Sequence, residues 1–191
     1  MLAGTIATVT FTNPQDNQQS VRDTIKVMTE IAIQQMNSPI VLSVVDNLQL
    51  SGTGIEQCRA IWGFVKSKLT FKEDEHQLIH DGHSVYSELL RTPEYLLIKA
   101  SEGDCDDYSL LAATLLLAGT NLGVAFTTIK THDERPNDWS HVYVSAITPE
   151  GVVALDCSHG PYTGWEMPDR FVSERKYWVV RELRNLKRWW E

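Results

Sequence analysis

Apolar positions along the chain fall into a few distinct periods. Residues 5–12 alternate weakly and suit either a short strand or a loose arm. From Ser20, the positions Val21, Ile25, Met28, Ile31, Ala32 and Met36 keep the spacing of one helical face. Asn37-Ser38-Pro39 ends that helix, because Pro cannot continue it and disfavours α geometry in the residue before. Val41, Val44, Val45 and Leu48 predict a second helix over 39–49, and Ser51-Gly52-Thr53-Gly54 a loop. Ile55, Cys58, Ile61, Trp62, Val65 and Leu69 form the stripe of a third helix. Residues 70–93 are polar and irregular, with a short helix expected near Tyr86–Leu90 and a turn at Thr92-Pro93.

The run DDYSLLAATLLLA over 106–118 is apolar on most sides, so it predicts a central helix, stopped by Gly119 and Gly123. Strand-like runs follow at Val124–Lys130, Ser140–Ile147 and Val152–Asp156, the last two joined by the hairpin turn Thr148-Pro149-Glu150-Gly151. Residues 157–170 read as loop, Lys176–Leu183 as a further strand, and the last residues as a short helix. Helices first and antiparallel strands later make the expected class α+β. The expected organisation is an N-terminal arm or strand over 1–17, one domain over 18–170, and a C-terminal extension over 171–191.

Composition narrows the function. The 191 residues carry a net charge of -8, which argues against a general nucleic-acid binder. Within 170–191, seven Lys and Arg face three Asp and Glu, so an acidic body ends in a basic segment with Tyr177, Trp178, Trp189 and Trp190. That segment either packs on the body or docks on a partner. Three cysteines do not make a disulfide framework, and a reducing compartment is the better expectation. The N-terminus lacks the basic region of a signal peptide, and no apolar run approaches the ~20 residues that span a bilayer. The expectation is cytoplasmic synthesis and no membrane partner.

Candidate chemistry centres on Gly103-Asp104-Cys105-Asp106-Asp107-Tyr108. Cys105 opens the most apolar helix, where unpaired backbone N–H groups favour a thiolate. Gly103 allows close approach of a substrate. His141 lies in the strand WSHVYVSAI and Asp156 at the end of GVVALD, so a hairpin could set them side by side. That is the nucleophile, base and orienter of covalent catalysis.

GDCDDYSLLAATLL, SHVYV and ALD, in that order, resemble the transglutaminase-like cysteine peptidase superfamily. AIWGFVKSKLTF, LLRTPEYLL and SVRDTIKVMTEIAIQQMNSPIVLSVVDNL extend the likeness over roughly residues 18–167, and the whole looks most like small phage and prophage members. The resemblance implies a papain-like fold, with the cysteine on a central helix packed on an antiparallel sheet. It implies Cys105 as nucleophile, His141 as general acid/base and Asp156 as orienter, with no cofactor. The reaction would be attack on an amide carbonyl through a thioester. Hydrolysis of a peptide or isopeptide is expected ahead of transamidation. The Cys105 N–H can serve as one oxyanion donor; the second is open. Gly103, Asp104, Trp139, His159 and Trp165 are candidates for the oxyanion and substrate cleft. The alternative is a non-catalytic structural or assembly module of a phage particle, with phage structural proteins as partners and a virion-associated location.

Plainer roles compete at several positions. Cys58 and Cys157 read as core residues. Asp104, Asp106 and Asp107 could hold a hard cation, but helix capping and dipole complementarity are the preferred account, and no metal is expected. His76, His80 and His83 are spaced for zinc, yet Gly82 interrupts them, and a solvated loop rimming the cleft is preferred. The loop Cys157–Pro168, with His159, Tyr162 and Trp165, either lines the cleft or closes onto the core.

Overall fold

The computed structural model describes residues 5–10, 17–73, 77–80, 83–132 and 137–183, without the side chains of 10, 77–80 and 83–87. A strand, β1 (Ile6–Thr10), precedes three helices: α1 (Asn17–Gln35), α2 (Pro39–Leu48) and α3 (Gly54–Lys68). Ser38 caps α2, its Oγ accepting from Ile40 N–H at 3.3 Å, with Pro39 in the first turn, where its missing N–H costs nothing. Thr53 and Glu56 form a capping box at the start of α3. Ile25, Met28, Ile31 and Ala32 of α1, Val41 of α2, and Cys58, Ile61 and Val65 of α3 point into one core.

Next come β2 (Thr70–Phe71), β3 (Gln77–His80) and β4 (His83–Arg91). The helix expected near Tyr86–Leu90 is therefore a strand. β4 pairs antiparallel with β3 on one side and β1 on the other, in the register Ile6↔Arg91 to Thr10↔Ser87. Partners some eighty positions away override a short local pattern that suits either element. The polar stretch with the histidines is a hairpin rather than a loop, with His80 opposite His83; His76 lies outside the described residues. The expected turn at Thr92-Pro93 starts a helix, α4 (Pro93–Ile98): Thr92 caps it and Pro93 sits in its first turn.

β5 (Glu102–Gly103) pairs parallel with β2 and leads directly into α5 (Cys105–Gly119). Every residue of α5 from Asp106 to Leu117 is buried, and α1, α2, α3 and α4 pack around it. Against it lies a four-stranded antiparallel sheet in the order β8-β7-β6-β9, made of β6 (Gly123–Thr131), β7 (Trp139–Thr148), β8 (Gly151–Leu155) and β9 (Val172–Arg181). The β7–β8 hairpin turns at Thr148-Pro149-Glu150-Gly151, where Gly151 has φ +141°. The class is α+β.

β9 begins earlier than the strand expected at Lys176, and it closes the sheet beside β6. Arg181 at its end donates to the carbonyls of Leu116, Leu117, Thr120 and Leu122 at 2.8–3.1 Å, covering the C-terminal end of α5. The helix expected for the last residues, with Trp189 and Trp190, lies outside the described residues. Among the described residues no helix is long and apolar enough to cross a membrane.

Candidate functional site

Two sheets converge on the start of α5. β2 and β5 deliver the chain to Asp104, α5 presents Cys105 in its first turn, and β7 and β8 bring His141 and the residues after Leu155 beside it. Ser109, one turn along α5, fastens helix to sheet. Its Oγ lies 2.6 Å from the Cys105 carbonyl oxygen and 3.1 Å from that of Val142, next to His141.

His141 Nε2 is 2.9 Å from Asp156 Oδ2, and both side chains are more than nine-tenths buried. The Cys105 thiol lies near enough to the same ring to act on its charge. With Nε2 committed to the carboxylate, Nδ1 is the ring nitrogen left open. Burial pulls the imidazolium down, but Asp156 and the nearby Cys105 outweigh it and hold His141 up at about 10. Burial pushes Asp156 up, yet the bond with His141 and the N–H of His159 hold it down at about 2. Cys58 and Cys157 are buried in the core, and burial pushes the Cys58 thiol up to about 12.

The loop after β8 is built around Asp156. Its Oδ1 accepts from Ser158 Oγ at 3.1 Å and from His159 N–H at 2.9 Å. Trp62 Nε1 donates to the Asp156 carbonyl at 3.1 Å, and Lys66 Nζ reaches the carbonyls of Cys157 and Ser158. A side chain at Gly160 would meet the Asp156 carbonyl oxygen at 2.5 Å, so the tight turn requires glycine. Trp62, Lys66 and Ser158 are contributions the sequence pattern hid. Trp62 and Lys66 stand four apart on α3, which puts them on one face, but Trp62 also completes the apolar stripe.

Of the cleft candidates, His159 lies edge-on to His141, ring centroids 4.7 Å apart, with Phe71 of β2 on its other side at 4.8 Å. Burial, then the neighbouring His141 charge, lower the pKa of His159. Trp139 is buried beneath Lys130, whose Nζ lies 4.8 Å from the ring centroid, and its backbone N–H donates to Asn17 Oδ1. Trp165 is half-buried in the turn following Tyr162. Gly103, at the end of β5, is explained by the helix that follows: a side chain there would meet Asp107 Cβ at 2.8 Å.

The three aspartates do not act as caps in the way expected. Asp104 holds the cap position, but its side chain makes no capping hydrogen bond. Asp107 is buried against Arg91, accepting from its backbone N–H at 2.8 Å and from its guanidinium. Burial, then Asp104, raise Asp107 to about 7 despite Arg91. Asp106 is 4% exposed, and among the described residues no N–H or O–H donor reaches either of its carboxylate oxygens. Burial above all, then Asp104, Glu88 and Asp107, push its carboxyl well above the ordinary range.

No protein-family model and no curated protein match the chain. Its fold is similar to the crystal structure of a putative protease from Parabacteroides distasonis, with a TM-score of 0.51 at 14% identity. The likeness covers 73% of this chain and 26% of that one, so the chain spans about a quarter of the other protein's length.

Proposed function

We propose that the chain is a cysteine hydrolase of the papain-like, transglutaminase-like kind, acting on a peptide or isopeptide amide. The observation that carries this is His141, held by Asp156 at 2.9 Å through one ring nitrogen, with Cys105 near enough to act on the ring's charge. The similarity in fold to a protein named as a putative protease supports it.

In this proposal Cys105 is the nucleophile. Its proton passes to His141 Nδ1, and Sγ bonds to the amide carbon. The Cys105 backbone N–H, unpaired at the helix start, faces the developing oxyanion. His141 then returns the proton to the leaving amine nitrogen as the C–N bond breaks, leaving a thioester. Water, deprotonated by the same imidazole, attacks the thioester and releases the acid and the thiol. Asp156 keeps Nε2 protonated and turned away from the thiol throughout. The substrate cleft opens beside Phe71 and His159, at the rim of the site.

Alkylation by iodoacetamide at neutral pH tests the activated pair. Cys105 is expected to react well ahead of Cys58 and Cys157, and His141→Ala to slow it by at least tenfold. Reaction of Cys105 no faster than an unstructured thiol, unchanged in His141→Ala, would overturn the proposal.

A further inference from the structure

Asp106 occupies an unusual place for a carboxylate. It sits in the first turn of α5, 4% exposed, with both oxygens buried and no hydrogen-bond donor on either among the described residues. Asp104 is 6% exposed, and its Oδ1 is buried without a donor as well. The cap position does not explain it, since the side chain turns away from the helix N–H groups. Both turn toward Glu88 of β4. One oxygen from each of Glu88, Asp104 and Asp106 lies within 4.8 Å of the other two. The buried, donor-less oxygens of Asp104 and Asp106, set beside a further carboxylate, repel one another unless a positive charge or a proton sits among them.

We propose that Glu88, Asp104 and Asp106 bind a calcium ion at the start of α5. The ligand set is all oxygen, which selects a hard cation over zinc or copper. Ligand number selects among hard cations. Calcium takes six to eight oxygens in a flexible arrangement and accepts several protein carboxylates, whereas magnesium usually keeps several waters and only one or two carboxylates, so three converging carboxylates favour calcium. Three carboxylates leave room for water or backbone carbonyls in the remaining positions.

The site ties β4 to the start of the central helix, a junction that the Arg91–Asp107 pair also holds. Glu88 comes from the β1-β4-β3 sheet, and Asp104 and Asp106 from the segment entering the central helix. Cys105 lies between two of the three ligands. A bound ion would therefore fix the backbone that presents the thiol, which makes calcium a requirement for a well-formed nucleophile. That last step rests on the role proposed for Cys105; the binding itself does not.

The test is thermal unfolding of the full chain, stripped with EDTA and titrated with calcium chloride or magnesium chloride. Calcium at a hundredfold excess over its Kd is expected to raise Tm by roughly 5–10 °C, with a smaller shift for magnesium at equal concentration. Asp106→Asn should abolish the calcium shift. Glu88→Gln, at a partly exposed position that tolerates the change, should cut the apparent affinity at least tenfold and decides the matter if Asp106→Asn fails to fold. A Tm that calcium leaves unmoved, or a shift that survives intact in Glu88→Gln, overturns the site. If calcium has no effect and Asp106→Asn is as stable as the parent, the cluster shares a proton instead. Iodoacetamide labelling with and without calcium separates the two proposals. Binding without a reactive Cys105 leaves the ion site standing and removes the hydrolase, and a reactive, His141-dependent Cys105 without binding does the reverse.

Discussion

His141 Nε2 and Asp156 Oδ2 lie 2.9 Å apart in a place that water barely reaches, one on β7 and the other just past the end of β8. The bond commits Nε2 to the carboxylate and leaves Nδ1 open. It also links protonation to folding, and the sign can be followed for each partner.

His141 is held up at about 10, above the 6.5 of an unfolded chain. Its contribution is therefore fully present below pH 6.5 and lost as pH rises through about 10. Asp156 is held down at about 2, so its contribution is present above pH 3.8 and lost as pH falls toward 2. The stability difference between the parent and His141→Gln should be largest near pH 5–6 and shrink steadily between pH 6.5 and 10. Urea unfolding of both chains across that range measures it. A difference independent of pH would show that the imidazolium is not what the site stabilises.

Arg91 joins β4 to α5 through Asp107, whose side chain is fully buried. Arg91→Met keeps the aliphatic length and leaves the carboxylate without its guanidinium. The expected cost is about 3 kcal/mol, read as a lower urea midpoint. Asp107→Asn in the same background should recover part of it, since an amide is cheaper to leave unpaired than a carboxylate. Losses that simply add across the two sites would mean that the pair is not coupled.

Gly160 closes the turn that carries Asp156, donating its N–H to the Asp156 carbonyl at 3.0 Å. A methyl group there meets that carbonyl oxygen at 2.5 Å and has only backbone to push against. Gly160→Ala should cost about 1–3 kcal/mol. Because the strain falls on Asp156, the labelling rate of Cys105 should drop further than the lost stability accounts for. A variant with reduced Tm but parental labelling would place the strain elsewhere.

What the sequence made legible follows from range. The central helix is one uninterrupted apolar run, and β6 to β8 are short runs separated by turn residues, so local pattern sufficed for both. Cys105, His141 and Asp156 each sit at an element boundary readable from neighbours. The second half of β4 was not readable, because Ser87–Arg91 pair with residues 6–10, far back in the chain, and only His83–Tyr86 pair with the neighbouring β3. Thr92-Pro93 supports a turn or a helix start equally well, and only the burial of Leu96 against the core settles which. Asp104 looked like a cap because Asp favours that position, yet its side chain makes no cap bond and lies near Glu88, which folding brings from another sheet. The supports of Asp156 were hidden for a related reason: an indole in an apolar stripe does not announce a hydrogen bond to a backbone ninety-four positions away.

That hydrogen bond gives the sharpest test of how the site is held. Trp62 is a positioning residue in this arrangement: it packs against the core, donates to the Asp156 carbonyl and carries the Lys66 ammonium 5.6 Å over its ring. Trp62→Phe keeps much of the apolar contact and removes the donor. The net loss in stability should be about 1 kcal/mol, as for one neutral hydrogen bond. If the bond also sets the depth of Asp156, His141 should be less firmly held, and the alkaline limit of the His141-dependent stability should move down from about 10 toward 6.5. A purely structural role would lower Tm equally at every pH and leave that limit in place. The same urea series used for His141→Gln distinguishes the two outcomes, and Trp62→Leu, which also loses the ring beneath Lys66, should be worse in both respects.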